Sequence, residues 1–552
     1  MGQPETASPA PPLKHAVFLL LLTALVYAQS LAFPFIRYDD TTFIVNNPQL
    51  RSWSSLGLFF SGKDSGEPLG TVTQKPPFYR PLQGTWVLLN YKVFGLHPAL
   101  WHLAAMLLYG CGVLLLWRLA WKLTQETFVA LASALLYALH PMHTEGVAWI
   151  SGASVEPLVS AVFFAGFLAY LRWREDGSAV WLAVCSLLTL AALWSKETAA
   201  ALPVLIIAHA LLFRSQMEPT HRTRRLFAIV LSLVAIVALY ARLRVGATGS
   251  LVASHTAQSW ADVLRTAPAM FVIYLKHALW PFPLGNWYDT PMVTAATGAR
   301  FYVPLVIVVA FAALTLWALV RKPLAGFLLL WWLVALGPSF VAMRSLIPWE
   351  RFHDRYAFVA LAGLCMLTAL VLRRLPDLKF NLFGFKAASA IATATLTVLL
   401  GVLTALQVNG WRSDFTMYEQ AVRACPTCPR PRLLLAGWYA NQRGDIHKAL
   451  ELDRVAIQMS PDRWEPLYVY GLTLAASGDR RGGMNELIHA IHLAPSEVEP
   501  YLGLADMLAR TGNFDAAVQV LQRGIPVVDR PQILQDQVLK IQAVQKGAVS
   551  AP

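Results

Sequence analysis

Charge is what this sequence has least of: only 14% of its 552 residues are Asp, Glu, Lys or Arg. Soluble domains carry roughly 25%, so the composition is that of a membrane protein. Cysteine is scarce too, five in all. Cys111, Cys185 and Cys365 fall within apolar runs and read as small fillers. The remaining two form Cys425-Pro-Thr-Cys428, for which a structural disulfide is the leading reading. No βαβ pattern surrounds that motif, which argues against a thioredoxin-like redox role, and no second ligand pair accompanies it, which argues against zinc. Ionisable residues are nearly missing from the middle of the apolar runs, which argues against an ion-coupled transporter. The net charge of +13 is accounted for by basic loops that anchor against anionic lipid, so nucleic acid is not implied.

What the sequence has in excess is apolar length, with 56% hydrophobic residues. Runs near the ~20 residues needed to cross a bilayer lie at about 16–34, 98–121, 128–149, 155–172, 178–195, 197–213, 225–243, 302–320, 324–342, 355–372 and 387–407. These predict eleven spans. Cytoplasmic loops carry the Lys and Arg excess. With Lys14 inside, Arg118/Lys122, Arg172/Arg174, Arg222/Arg224/Arg225, Arg321/Lys322 and Arg373/Arg374/Lys379 all fall inside as well. That agreement requires residues 265–281, interrupted by Lys276 and His277, to be re-entrant or interfacial on the outer side. A cleaved signal peptide is the alternative for the first run, but its core is longer than the usual 7–15 residues, so an uncleaved anchor is expected.

From about residue 430 a 34-residue self-similarity appears. Gly444, Gly478 and Gly512 share one frame, as do Pro461 and Pro495. Small residues recur at Gly437/Gly471/Ala505, Ala449/Gly483/Ala517 and Ala456/Ala490/Gly524, where two helices of one unit must approach closely. This is the tetratricopeptide period and pattern, and three such units predict a short α-solenoid with a concave face for a partner. The expected architecture is all-α: a polytopic membrane bundle over 1–410, a connector over 411–429, repeats over 430–529 and a helix or tail over 530–552. An odd number of spans places the repeats outside.

The predicted outer loops hold Tyr38-Asp39-Asp40, Tyr79-Arg80-Pro81-Leu82, His140-Pro141-Met142-His143-Thr144-Glu145, Ser195-Lys196-Glu197, Tyr288-Asp289 and His353-Asp354-Arg355-Tyr356. A carboxylate beside an acceptor hydroxyl can act as general base. Arg and Lys can stabilise charge growing on a phosphate leaving group. Aromatic walls suit the apolar faces of a sugar. Plainer readings exist for each motif. Adjacent carboxylates after a span are often solvated boundary residues, Lys196-Glu197 can be an interfacial ion pair, and His140 with His143 can be interfacial or half of a metal site. Against them stands the recurrence of such groups in independent loops on one predicted side.

In order along the chain, Tyr38-Asp39-Asp40 with Asn46-Asn47-Pro48, Tyr79-Arg80-Pro81-Leu82 leading to Asn90-Tyr91, the His140–Glu145 segment, Ser195-Lys196-Glu197 and Asp354-Arg355-Tyr356 resemble motifs of the transmembrane and tetratricopeptide-repeat (TMTC) proteins. These are GT-C superfamily glycosyltransferases of the protein O-mannosyltransferase group. The resemblance runs from about 16 to 529. It implies a sugar moved from a polyprenyl-phosphate donor by an inverting displacement, with no metal and no further cofactor. It implies that Asp39 and Asp40 are the catalytic pair, Asp39 as base and Asp40 as orienter with the reverse assignment open, and that Glu145 orders acceptor or base. Arg80, Lys196 and Arg355 become candidates for the carrier phosphate, and His140, His143, Glu197, Asp289, His353 and Tyr356 join them in the substrate-binding set. Where the family continues with Arg-Ala-Asp, this chain has Ala153-Ser154-Val155-Glu156, which leaves the role of Glu156 open. Eukaryotic members carry many more repeats. That favours a bacterial inner-membrane relative with periplasmic or exterior repeats, or luminal repeats in the endoplasmic reticulum if eukaryotic. The partners implied are the lipid-linked donor, membrane lipid and a protein acceptor recruited by the repeats. An oligosaccharyltransferase moving a glycan en bloc and a non-catalytic scaffold are the competing functions.

Overall fold

A computed structural model describes residues 12–62, 78–251, 258–288, 290–344, 346, 351–376, 378 and 380–545. Asp289, Lys379 and the tail beyond 545 lie outside the described residues. The chain divides into two compact units, one comprising Met1–Asn286 with Thr290–Asp414 and the other Trp287–Asp289 with Phe415–Pro552. Both are helical. A two-residue antiparallel pair, Asn381–Leu382 with Phe385–Lys386, is the strand structure among the described residues.

In the first unit seven helices are long and apolar enough to cross a membrane: Leu13–Ala32, Pro98–Thr124, Ile150–Asp176, Arg222–Thr248, Ala299–Arg321, Pro323–Ala342 and Ala387–Arg412. The chain is an integral membrane protein. Four shorter apolar helices, Thr127–Ala138, Ala179–Ser195, Glu197–Leu212 and Leu361–Leu372, occupy the remaining expected crossings. Helices in lipid associate by packing rather than by escape from water, so burial separates centre from rim. In Ile150–Asp176 83% of the apolar stretch is buried, against 11% in Ala299–Arg321, which places the former at the centre of the bundle and the latter against lipid.

The expected run 128–149 is not one continuous helix. It stops at Ala138 and continues as short turns, Pro141–His143, Thr144–Ala148 and Ile150–Ala153. Pro141 forces the break, because a residue before proline is driven out of the helical region; His140 is extended, with φ −78° and ψ 127°. Residues 140–153 therefore fold over one end of the bundle instead of crossing it.

The two classes of loop segregate. At one end Lys122 pairs with Glu175 at 2.7 Å, Arg174 donates to the Phe213 carbonyl at 2.7 Å, Arg225 donates to the Arg174 carbonyl at 2.8 Å, and Arg373 pairs with Glu126. These are the loops read as cytoplasmic. At the other end lie residues 38–40, 80, 140–156, 196–197 and 353–356, joined by the contacts described below. The segment 265–281 belongs to a helix, Trp260–Leu279, that ends at this second set: His277 Nδ1 is 2.7 Å from Asp354 Oδ1.

The second unit repeats one helix pair three times: Pro429–Trp438 with Ile446–Met459, Trp464–Ala476 with Arg480–Leu493, and Glu499–Arg510 with Phe514–Gly524. Gly444, Gly478 and Gly512 close each turn with φ of 67°, 99° and 78°, a region L side chains avoid. Within the second repeat a methyl group on Gly483 would come 2.5 Å from the Gly471 carbonyl oxygen, so the small-residue frame records a true close approach. Residues 411–429, expected as a connector, form a helix, Asp414–Ala424, and a turn in which Cys425 and Cys428 are disulfide-bonded with Cα atoms 5.3 Å apart.

One core position breaks the repeat. Asp453 stands in the frame of Leu487 and Leu521, and all three are fully buried. Among the described residues its carboxylate oxygens make no hydrogen bond of good geometry, and the neighbouring Thr473 hydroxyl, which donates to the Val469 carbonyl, opposes the effect of burial without cancelling it. Burial pushes the Asp453 carboxyl up to about 7. A carboxyl whose pKa is higher folded than unfolded favours the folded state while protonated, so stability declines as pH rises from about 4 to about 7. Asp453→Leu should remove that decline and raise the melting point of the detergent-solubilised chain more at pH 8 than at pH 4.5. An equal shift at both values would show that Asp453 is not the titrating group.

Topology is testable separately. A reporter fused after residue 430 should be active only outside the cytoplasm, and cysteines at positions 250 and 285 should both label from outside. Labelling from opposite sides would make 265–281 a crossing.

Candidate functional site

The first loop leaves the membrane after Ala32 and delivers the two adjacent carboxylates to different environments. Asp40 is buried. Its Oδ2 accepts from the Ile36 N–H at 3.1 Å, and its Oδ1 accepts from the Ser151 N–H at 2.9 Å and the Ser151 hydroxyl at 2.5 Å. Burial pushes its carboxyl up to about 6, the hydrogen bonds from Ser151 and Ile36 opposing it. Asp40 thus ties the loop to the turns that follow Pro141. Asp39 is half-buried. Tyr38, on the same turn, lies 5.2 Å from the Trp149 ring, which stacks on Trp411 at 5.6 Å and 9°.

Glu145 joins that turn to the loop before the tenth apolar helix. It accepts from His353 Nδ1 at 2.8 Å and from the Arg355 N–H at 3.2 Å, and it pairs with the Arg355 guanidinium. Burial would raise the Glu145 carboxyl, but Arg355 and His353 outweigh it and hold it below the ordinary carboxylate value. The Arg355 guanidinium sits 5.2 Å from the Trp149 ring and 5.3 Å from the Tyr356 ring. Trp149 is therefore shared between the loop of the acidic pair and the loop of Arg355.

Lys196 and Glu197 are not paired with each other. The Lys196 ammonium makes a buried ion pair with Glu156 and lies 4.9 Å from the Tyr356 ring. Burial lowers the Lys196 pKa against the pull of Glu156, and the charges of Arg80 and Arg355 push the same way. Glu197 is instead clasped by two arginines: Arg80 donates to its Oε2 from Nε at 2.8 Å and Nη2 at 2.6 Å, and Arg244 donates to its Oε1 at 2.7 Å. Arg80 also covers the Phe78 ring at 4.2 Å. Among these named groups four cations, Arg80, Lys196, Arg244 and Arg355, face three carboxylates, Glu145, Glu156 and Glu197.

Most candidate residues thus meet at one end of the bundle. His140 and His143 point elsewhere. His140 Nε2 is 3.1 Å from the Ala278 carbonyl and its Nδ1 accepts the Met142 N–H. His143 lies between the Tyr137 carbonyl at 2.8 Å and the Phe358 carbonyl at 3.3 Å, with the Tyr109 hydroxyl 2.9 Å from Nδ1. Burial drives the pKa of both well down, to about 4 and about 3, so each ring is neutral and serves packing of the main chain. Asp289 lies outside the described residues. Among the described residues no group of three or more His, Cys, Asp or Glu is placed to hold a metal. Sequence reasoning missed Trp149, Ser151 and Arg244. Arg244 carried a signal, since it ends an apolar helix whose basic cluster, Arg222 to Arg225, lies at the opposite end.

No family model matches the chain. Among curated proteins it is similar to a protein O-mannosyl-transferase of Caenorhabditis elegans, 23% identical over 438 residues, which cover 75% of this chain and 58% of that protein. Protein O-mannosyl-transferase Tmtc2 of Drosophila melanogaster is 34% identical over 33% of this chain and 20% of its own length. Human protein O-mannosyl-transferase TMTC3 is 30% identical over 31% and 18%. The chain spans less than two thirds of these relatives. Among solved structures, ArnT of Cupriavidus metallidurans bound to undecaprenyl phosphate aligns over 92% of this chain and 79% of that one, at 15% identity and a TM-score of 0.37, too loose a fit to compare residues. The sequence alignments and the ordered motifs point the same way: over part of its length the chain is similar to protein O-mannosyl-transferases of the TMTC type.

Proposed function

We propose that the chain is a membrane glycosyltransferase that moves a hexose from a polyprenyl phosphate to a hydroxyl of a protein acceptor on the outer side of the membrane. The observation that carries this reading is the convergence of an acidic pair, aromatic rings and the cations Arg80, Lys196 and Arg355 at the loop end of an apolar bundle. The names of the relatives support the transfer of mannose to protein.

The chemistry follows from what each group can do. Asp40 has both oxygens engaged and fixes the loop; Asp39 takes the proton of the acceptor hydroxyl as that oxygen bonds to the anomeric carbon. The bond from that carbon to the phosphate oxygen breaks on the opposite face, its electrons leaving with the phosphate, and the centre inverts. Lys196, Arg355 and Arg80 stabilise the departing phosphate. Cations crowded beside Lys196 gain most when an anion arrives between them. Trp149, Tyr38 and Tyr356 form walls suited to a sugar face. No metal or cofactor is assigned a step. The repeats recruit the acceptor.

Asp39→Asn and Asp40→Asn keep shape but remove charge. At least one should lose transfer from a radiolabelled donor pool by about 10²–10⁴-fold while still binding donor in detergent. The acidic limb of the pH profile should sit near 6, where Asp40 takes up a proton and can no longer accept three hydrogen bonds. Full activity in both variants would sink the assignment and favour the scaffold.

The buried pair gives an independent check. Glu156→Gln strands the Lys196 ammonium and should destabilise the chain by about 3–5 kcal/mol. Adding Lys196→Met should restore thermal stability without restoring transfer. Recovery of transfer in the double variant would make Lys196 merely structural.

A further inference from the structure

The first repeat departs from the other two at its turn. Where they remain α-helical, Tyr439–Arg443 is a single π-helical turn, a feature that recurs at functional sites. Trp438 and Tyr439 stand in the frame of Leu472 and Thr473 in the second repeat and Asp506 and Met507 in the third. With Phe415 from the helix Asp414–Ala424, and with Arg443 and Asp445, they line a cavity of about 310 Å³. That is the lower end of the range for small-ligand sites.

The lining is an aromatic corner with unused polar edges. Phe415 lies 4.6 Å from the Trp438 ring at 39° and 6.0 Å from the Tyr439 ring at 90°. The Arg443 guanidinium is 5.6 Å from the Trp438 ring and, among the described residues, makes no hydrogen bond or ion pair. The Trp438 indole N–H and the Tyr439 hydroxyl likewise have no hydrogen-bond partner there. Asp445 uses one oxygen to cap the Lys448 N–H at 3.0 Å.

Charge selects the ligand. A cation that would suit an aromatic cage meets Arg443, and an anion meets Asp445. A neutral group with apolar faces and many hydroxyls satisfies rings and polar edges together. An extended peptide needs a groove along the solenoid rather than a corner at one turn. We infer that the first repeat carries a carbohydrate-binding site that takes a neutral hexose ring on Phe415, Trp438 and Tyr439. This site does no chemistry, and none of its residues belongs to the proposed transfer centre. A sugar held there would retain a glycosylated chain on the repeats.

The test uses the full chain in detergent with methyl α-mannopyranoside and methyl α-glucopyranoside as probes, read by saturation-transfer NMR and by tryptophan fluorescence. Millimolar binding of at least one probe is expected. Trp438→Leu should weaken it about tenfold, the loss of one aromatic face, and Arg443→Ala should weaken it as well. Trp438→Tyr should retain it. Transfer to a small acceptor should be unchanged in Trp438→Leu, and probe binding should survive Lys196→Ala, which separates this site from the membrane centre. The proposal is overturned if neither hexoside binds, if binding is the same in Trp438→Leu, if it vanishes in Lys196→Ala, or if an aromatic peptide binds the corner while the hexosides do not.

Discussion

The ion pair between Lys196 and Glu156 is the contact around which the membrane unit is arranged. Glu156 opens the helix Glu156–Asp176 and Lys196 follows the helix Ala179–Ser195, so the pair closes the open end of a helical hairpin whose other end turns at Gly177. Both side chains are buried. Such a pair adds little net stability, because desolvation consumes most of the Coulombic gain, yet removing one partner is costly. Its effect here is to hold an ammonium at a fixed depth. Arg80 and Arg355 bear on that ammonium from two other loops, so three distant stretches of sequence share one electrostatic condition. Lys196 and Arg355 each face their own carboxylate while Arg80 shares Glu197 with Arg244, and the crowding of like charge is what an anionic ligand would relieve.

The adjacent carboxylates show how one loop makes two chemically different groups. Asp40 faces inward and is fixed by donors from residues 36 and 151. Asp39 is only half-buried. Two neighbours of the same type thus divide into a buried anchor and a half-buried group, and the anchor's donors come from the fold of residues 140–153 over the end of the bundle. That fold depends on Pro141, since a continuous helix there would carry Ser151 away from Asp40.

Much of this architecture was legible in the sequence, for reasons that differ by element. Apolar runs read as spans because lipid imposes a length and forbids charge. The repeats read clearly because Gly444, Gly478 and Gly512 mark a backbone requirement that few residues meet. Ion pairing was not legible: Glu156 and Lys196 are 40 residues apart and Glu145 and Arg355 are 210 apart. Adjacency even misled, since Lys196 and Glu197 look like partners and face different ones. His140 and His143 carry the residue type of a reactive group, but their ring nitrogens meet main-chain carbonyls that no sequence pattern announces. The break in the run 128–149 had a visible cause in Pro141, which an apolar count alone passes over.

The first repeat concentrates the exceptions of the second unit. Asp453 replaces a core leucine, Tyr439–Arg443 replaces an α-helical turn, and aromatic rings replace the frame residues Leu472 and Thr473. Terminal repeats are commonly atypical because one face lacks a neighbour, but a cap needs only a polar outer surface. A buried carboxyl in place of a core leucine and a cavity walled by three aromatics do not serve that need. They weaken the packing of this repeat relative to the other two, whose equivalent positions are filled by leucine and closed by ordinary helix. A solenoid tolerates such a local loss because each repeat rests only on its neighbours. The second and third repeats keep the regular core, and the first is thereby released to carry a site.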